Sequence, residues 1–110
     1  MQGILRRYAI LGFSLCLLLS SAAQSQTDSA KAFKANCALC HSANGSGDSP
    51  AGKALKAKDL RSEEVQKQPD GALKTVISNG KGKMPAFAAK LQPDDITKMV
   101  AYVRGLAKAK

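Results

Sequence analysis

A chain of 110 residues has room for one domain, and its 17 lysines and arginines against 8 aspartates and glutamates give a formal charge of +9. A basic surface points to acidic partners or an anionic membrane face. With no tryptophan, two tyrosines and three phenylalanines, the chain lacks the stacking aromatics of a nucleic-acid binder, and that class is set aside.

The first quarter reads differently from the rest. Arg6 and Arg7 precede an apolar run from Tyr8 to Leu19, and the small and polar stretch "SSAAQSQ" follows. This is the layout of a secretory signal: a basic region, an apolar region and a small-residue cleavage site. Ser21 and Ala23 fit a cut before Gln24, and Ala23 and Ser25 fit one before Gln26; the first is adopted here. The expectation is a cleaved signal over residues 1–23, a single domain over 24–110 and a periplasmic location. A bilayer-spanning helix needs about 20 apolar residues, and this run is shorter. Cys16 follows Leu15, where a lipoprotein signal needs a small residue, and is read as part of the apolar region. Loss of Arg6 and Arg7 removes only two positive charges, so the mature chain stays basic, almost entirely through lysine. It retains only Phe33, Phe87 and Tyr102 as aromatic residues. So small a core usually needs a disulfide, a metal or a cofactor to supplement it.

The mature chain shows helical periodicity and no period-two alternation, which predicts an all-α domain. A first helix is expected from near Asp28, a good N-cap, through "SAKAFKANCALCH". The glycine-rich "ANGSGDSPAG" that follows reads as a loop. Ser62 can cap a short helix with Glu63 and Glu64 in its first turn and Pro69 as its stop. Asp70 can cap another, with Leu73, Val76 and Ile77 on one face and termination at Asn79-Gly80. In the last helix Pro93 takes the first position, Asp94 and Asp95 the first turn, and Ile96, Met99, Val100, Val103 and Leu106 form an apolar stripe.

The chemistry concentrates in "CALCH". On a helix, Cys37 and Cys40 are three apart and Cys37 and His41 four apart, so the three side chains share a face. Two thiols can add to the vinyl groups along one porphyrin edge while the imidazole reaches the iron, and CxxCH is the signature of c-type haem attachment. The competing uses each lack a part. Structural zinc wants four ligands, and the mature chain has no other cysteine or histidine. A thioredoxin-like CxxC sits in a βαβ context, and no strands are predicted. A disulfide closing so small a loop would contribute little.

An iron held by His41 has one axial position left. Of the two methionines after the signal, Met99 lies on the apolar stripe, where methionine is commonly a packing residue. Met84 lies in "SNGKGKMPAF", where Gly80 and Gly82 permit tight turns and Pro85 stiffens the exit. An apolar side chain in a polar loop wants a partner, which makes Met84 the candidate sixth ligand.

Together "CALCH", "SPAGKAL", "SNGKGKMPAF" and "DDITKMVAYVRGLAK" resemble the small class I cytochromes c, especially the soluble single-haem carriers of bacterial periplasms and the photosynthetic lumen. The resemblance implies a cytochrome c fold, three to five helices around one covalently bound haem c, with the terminal helices crossing where Phe33 meets Tyr102. It further implies that Pro50 offers its carbonyl to the other imidazole nitrogen of His41, and that Leu55, Leu60 and Phe87 line the haem pocket.

Histidine and methionine together would close both axial positions, so the expected function is one-electron transfer without enzymatic activity. The expected partners are redox proteins with acidic docking faces, such as a cytochrome complex and a terminal oxidase or reductase, met by a monomer that leaves room for peripheral membrane contact. Lys53, Lys56, Lys58, Lys81 and Lys83 lie in segments expected to flank the haem cleft and could steer such partners, although a lysine-rich surface also serves solubility alone. Two alternatives stay open. With Met84 displaced the site would suit a gas sensor or small peroxidase, against which stands the lack of a second histidine. The domain could also be a docked subunit of a larger oxidoreductase.

Overall fold

A computed structural model of the full chain describes residues 20–109. The segments read as a basic and apolar export signal, Cys16 among them, lie outside the described residues. Six helical segments are present among those described: α1 (Ser20–Asn36), α2 (Ala38–His41), α3 (Pro50–Leu55), α4 (Glu63–Gln66), α5 (Asp70–Asn79) and α6 (Pro93–Lys108). The only strand-like pairing among them is a single bridge between Lys81 and Met84. The domain is all-α, as the periodicity requires.

The first helix differs from expectation at both ends. It is already helical at Ser20, the first described residue, so Asp28 does not cap it but lies exposed within it. It is then interrupted at Cys37, whose φ of −120° leaves the helical region. Bonds from Cys37 N–H to the Phe33 carbonyl (2.8 Å) and from His41 N–H to the Cys37 carbonyl (2.9 Å) carry the ladder across the break. Counted as one interrupted helix, α1 and α2 bring the total within the three to five expected.

Helix α3 begins inside the stretch expected to be a loop, its first three residues being the last three of that stretch. Pro50 is not a breaker here but the first helical residue, where a missing N–H costs nothing, and the Ser49 hydroxyl accepts from Gly52 N–H as its N-cap. Helix α4 is capped by Ser62, whose hydroxyl accepts from Val65 N–H, as predicted. It ends at Gln66, short of Pro69. In α5 the cap position falls on Pro69 and Asp70 becomes the first helical residue, while Gly80 at φ +76° ends the helix. Helix α6 begins at Pro93, and the Asp95 carboxylate accepts the Gln92 N–H at 3.2 Å.

The apolar stripe of α6 organises the core. Phe33, Met99 and Val103 form one cluster at the crossing of α1 and α6, where the Phe33 and Tyr102 rings stand 5.1 Å apart at 43°. Val65, Leu73 and Val100 form a second, and Phe87, Leu91 and Ile96 a third. Ile77 packs against all three and joins them. Phe33, Met99 and Val100 are almost wholly buried, and each such side chain contributes roughly 1.5–3 kcal/mol by its removal from water.

Polar ties fix the turn before α5 to the last helix. The Arg104 guanidinium donates to the carbonyls of Gln66 (2.7 Å) and Gln68 (2.6 Å) and to the Asp70 carboxylate (2.8 Å). Gln66 in turn donates through its side-chain amide to the carbonyls of Leu60 (2.7 Å) and Val103 (3.3 Å). The backbone around Leu60 is thereby held against α6.

Candidate functional site

Cys37, Cys40 and His41 stand on the junction of α1 and α2, and their surroundings differ. Cys37 packs against the Phe33 cluster. Burial pushes its thiol up to about 11, with the charge of neighbouring Cys40 adding to the effect, so it is a neutral thiol at pH 7. Both cysteines are free and half-buried.

His41 Nδ1 lies 2.9 Å from the Lys58 carbonyl oxygen. A carbonyl can only accept, so Nδ1 carries the proton and Nε2 presents its lone pair. This corrects the assignment of that carbonyl to Pro50. Pro50 opens α3, where carbonyls run along the helix axis into its own hydrogen-bond ladder, and the segment after α3 returns to His41 instead.

The intervening loop is closed by its own side chains. Ser42 and Ser46 hydroxyls donate to the Asp48 carboxylate at 2.9 and 2.6 Å, and Ser49 N–H donates to the Ser42 hydroxyl at 2.9 Å. The Ser46 and then the Ser42 hydroxyl hold the Asp48 carboxyl below the usual carboxylate range. Ser49 also donates through its hydroxyl to the Leu39 carbonyl (2.7 Å), which ties α3 to the end of α2. Gly52 permits the close approach: a Cβ there would collide with the carbonyl oxygens of Cys40 and Gly47.

Met84 is positioned by a tight hairpin. Lys81 and Met84 exchange N–H to carbonyl bonds of 3.1 and 3.0 Å around Gly82, at φ +57°. The Met84 side chain is half-buried against the cluster of Phe87, Leu91 and Ile96. Phe87 and Ala88 N–H groups donate to the Ile77 and Ser78 carbonyls (3.0 and 3.2 Å), which fastens the loop exit to α5. Leu60 bridges the first two clusters, and its N–H donates to the Gly45 carbonyl at 2.7 Å.

The packing thus brings Cys37 and Leu60 together on one side of Ile77 and gathers Met84 and Phe87 on another. Pro50 is exposed and Leu55, at the end of α3, is 41% exposed, so both stand outside the three clusters. Among the described residues no group of three or more His, Cys, Asp or Glu side chains is arranged to hold a metal ion. Two free thiols one helical turn apart, beside an imidazole with Nε2 available, fit a porphyrin with its iron.

Known proteins resemble this chain. A family profile described as cytochrome c oxidase, cbb3-type, subunit III, matches residues 24–103. The chain is 40% identical over 103 residues to cytochrome c6 of Nostoc sp. (strain PCC 7120), covering 91% of this chain and 90% of that one. The chain belongs to the small class I c-type cytochromes. Cytochrome c6 of Anabaena variabilis is 44% identical over 80 residues, covering 73% of this chain and 90% of the relative. The solved KustC0563 c-type cytochrome superposes with a TM-score of 0.65 at 29% identity, covering 70% of this chain and 94% of that one. As a class I cytochrome, the protein transfers electrons by means of one covalently bound haem c and is not an enzyme.

Three contributors to the cytochrome site escaped the sequence reading: the Lys58 carbonyl, Ser49 and Gly52. Ser49-Pro50 carried a signal for the second, since serine before proline is a helix-start pattern. A backbone carbonyl leaves no trace in residue identity.

Proposed function

We propose that this cytochrome shuttles single electrons between membrane-bound or periplasmic redox complexes, anchored to its haem by Cys37 and Cys40, with His41 Nε2 and Met84 Sδ as axial iron ligands. The observation that carries the reading is the 2.9 Å bond from His41 Nδ1 to the Lys58 carbonyl, which fixes the ring and raises its donor strength. When bound, the haem supplies an iron that accepts and releases one electron. His41 holds its proton on Nδ1 in both oxidation states, so no proton need move with the electron. Met84 brings a soft sulfur from a short hairpin, and a Met/His pair raises the potential relative to harder ligand sets. Leu60 and Phe87, with Leu55 from the rim, exclude water from the iron. Among the described residues Leu55 is one of two large apolar side chains left exposed.

Lys53, Lys56, Lys81 and Lys83 are exposed and suit an acidic docking face. Lys58 is partly neutralised by Glu64 at 3.0 Å and steers less than the others. Export to the periplasm, with residues 1–23 removed as a signal, belongs to the same reading. No helix among the described residues is long and apolar enough to cross a membrane. The family profile is described as an oxidase subunit, whereas relatives matched over nine tenths of their own length are cytochromes c6. That length match favours a separate carrier over a docked subunit.

The test is the optical spectrum of the purified protein, oxidised and reduced, with and without carbon monoxide, beside Met84→Ala. A reduced low-spin spectrum indifferent to carbon monoxide, made reactive by the substitution, is the expected result. Carbon monoxide binding to the unmodified protein would refute Met84 ligation and favour a sensor or peroxidase.

A further inference from the structure

Gly47 touches the candidate histidine ligand from two directions. Its N–H donates to the His41 carbonyl at 2.8 Å. Its α-carbon faces the carbonyl that holds the imidazole: a Cβ at residue 47 would lie 3.0 Å from the Lys58 oxygen and 2.8 Å from the Ala57 oxygen. Real Cβ atoms essentially never come within 2.8 Å of a backbone oxygen and rarely within 3.0 Å, so a side chain would force the Ala57 carbonyl, and the Lys58 carbonyl with it, to shift. The glycine cannot retreat, because its own carbonyl oxygen rests against Gly52, where even a methyl group would collide with it. The displacement would therefore fall on residues 57–58 and on the bond from Lys58 O to His41 Nδ1. Gly47 also takes φ +74°, which glycine adopts freely and asparagine tolerates better than alanine.

We propose that Gly47 is a positioning residue for His41: by having no side chain it lets the Lys58 carbonyl close on Nδ1, and so sets the imidazole's orientation and donor strength. The inference rests on His41 being an axial ligand. A hydrogen-bonded imidazole is the stronger donor and favours the oxidised iron. Pushing the carbonyl away weakens the donor and raises the reduction potential. Lys58 acts through its main chain, so its side chain is not required.

The experiment compares the haem-loaded unmodified protein with Gly47→Ala, Gly47→Asn and Lys58→Ala, by potentiometric titration and by NMR hydrogen exchange of the His41 Nδ1–H in the reduced state. Both Gly47 variants are expected to exchange that proton at least tenfold faster. Their reduction equilibrium constants should rise about tenfold, ~59 mV for one electron. Lys58→Ala is expected to match the unmodified protein. A shift in Gly47→Ala that asparagine abolishes would assign the effect to backbone strain and overturn the proposal. Unchanged exchange and potential in both would also overturn it while leaving His41 as ligand. Should neither variant take up haem, the unmodified protein decides: with each exchange rate divided by that group's intrinsic rate, the Gly47 amide and His41 Nδ1–H should show opening constants within about threefold of each other as one opening unit, and a larger difference would refute the coupling. His41 ring protons without the large displacement that a haem-bound imidazole shows would instead sink the ligand assignment itself.

Discussion

Replacing Arg104 by methionine keeps most of the side-chain stem and removes five donors from the seam between α6 and the turn before α5. Two backbone carbonyls, Gln66 and Gln68, lose partners at 2.7 and 2.6 Å, and Asp70 loses an ion pair at 2.8 Å. Hydrogen bonds to a charged donor contribute about 1.5–3 kcal/mol each when water cannot replace them. These carbonyls are only part-buried, so about 1 kcal/mol apiece is the better figure. The Asp70 side chain is 65% exposed, which leaves its pair at most about 1 kcal/mol. The sum is about 2–3 kcal/mol, a large share of the roughly 5–15 kcal/mol that holds a domain together. In guanidinium chloride, with a slope near 2–3 kcal/mol per molar for a chain this size, the midpoint should fall by about 1 M. Arg104→Lys, which keeps the charge but not the fork, should lose about half as much. Adding Asp70→Asn to Arg104→Met should cost almost nothing further. A midpoint within about 0.2 M of the unmodified protein would refute the reasoning, because it would mean that water satisfies those carbonyls as well as the guanidinium does.

Gly52→Ala drives a methyl into the Cys40 and Gly47 carbonyls, so α3 must lift from α2; a loss of about 1–3 kcal/mol is expected by denaturant titration, with a lower yield of haem-loaded protein at equal expression. Phe33→Ala empties the crossing of α1 and α6 and removes the ring contact with Tyr102, and should cost about 3–5 kcal/mol by thermal unfolding; less than 1 would contradict a well-packed crossing. The Glu64 carboxyl is held below its ordinary value, first by its hydrogen bond to Lys58 and then by that charge. A folded value below the unfolded one gives stability present above about pH 4.3 and lost as pH falls through the folded value. The stability of Glu64→Gln relative to the unmodified protein should therefore be lower at pH 7 and converge with it at about pH 2, and a difference that grows on acidification would reverse the assigned sign.

Much of the fold was legible because helix signals are local. The α6 stripe, the Ser62 cap, the Gly80 terminus and the Pro93 start each depend on residues within one or two turns, and each lies where the sequence puts it or within a residue of it. Helix α3 was misread because Pro50 and Gly52 carry two meanings: proline both ends helices and begins them, and glycine both loosens a loop and admits a close contact. The Cys37 break was not legible either: Cys37 and Ala38 pack on the same cluster as Met99 and Val103 of α6, a contact that local spacing does not show.

By itself the sequence determined the chemistry available: two thiols and an imidazole at helical spacing, a methionine in a glycine-flanked hairpin, and the apolar stripe on which the domain is built. Side-chain identity and local spacing suffice for that. Only the tertiary structure decided which backbone groups serve those side chains. The carbonyl on His41 comes from Lys58, 17 residues on, and the room for it comes from Gly47. Carbonyl oxygens are the same in every residue, and only the path of the folded chain selects one of them.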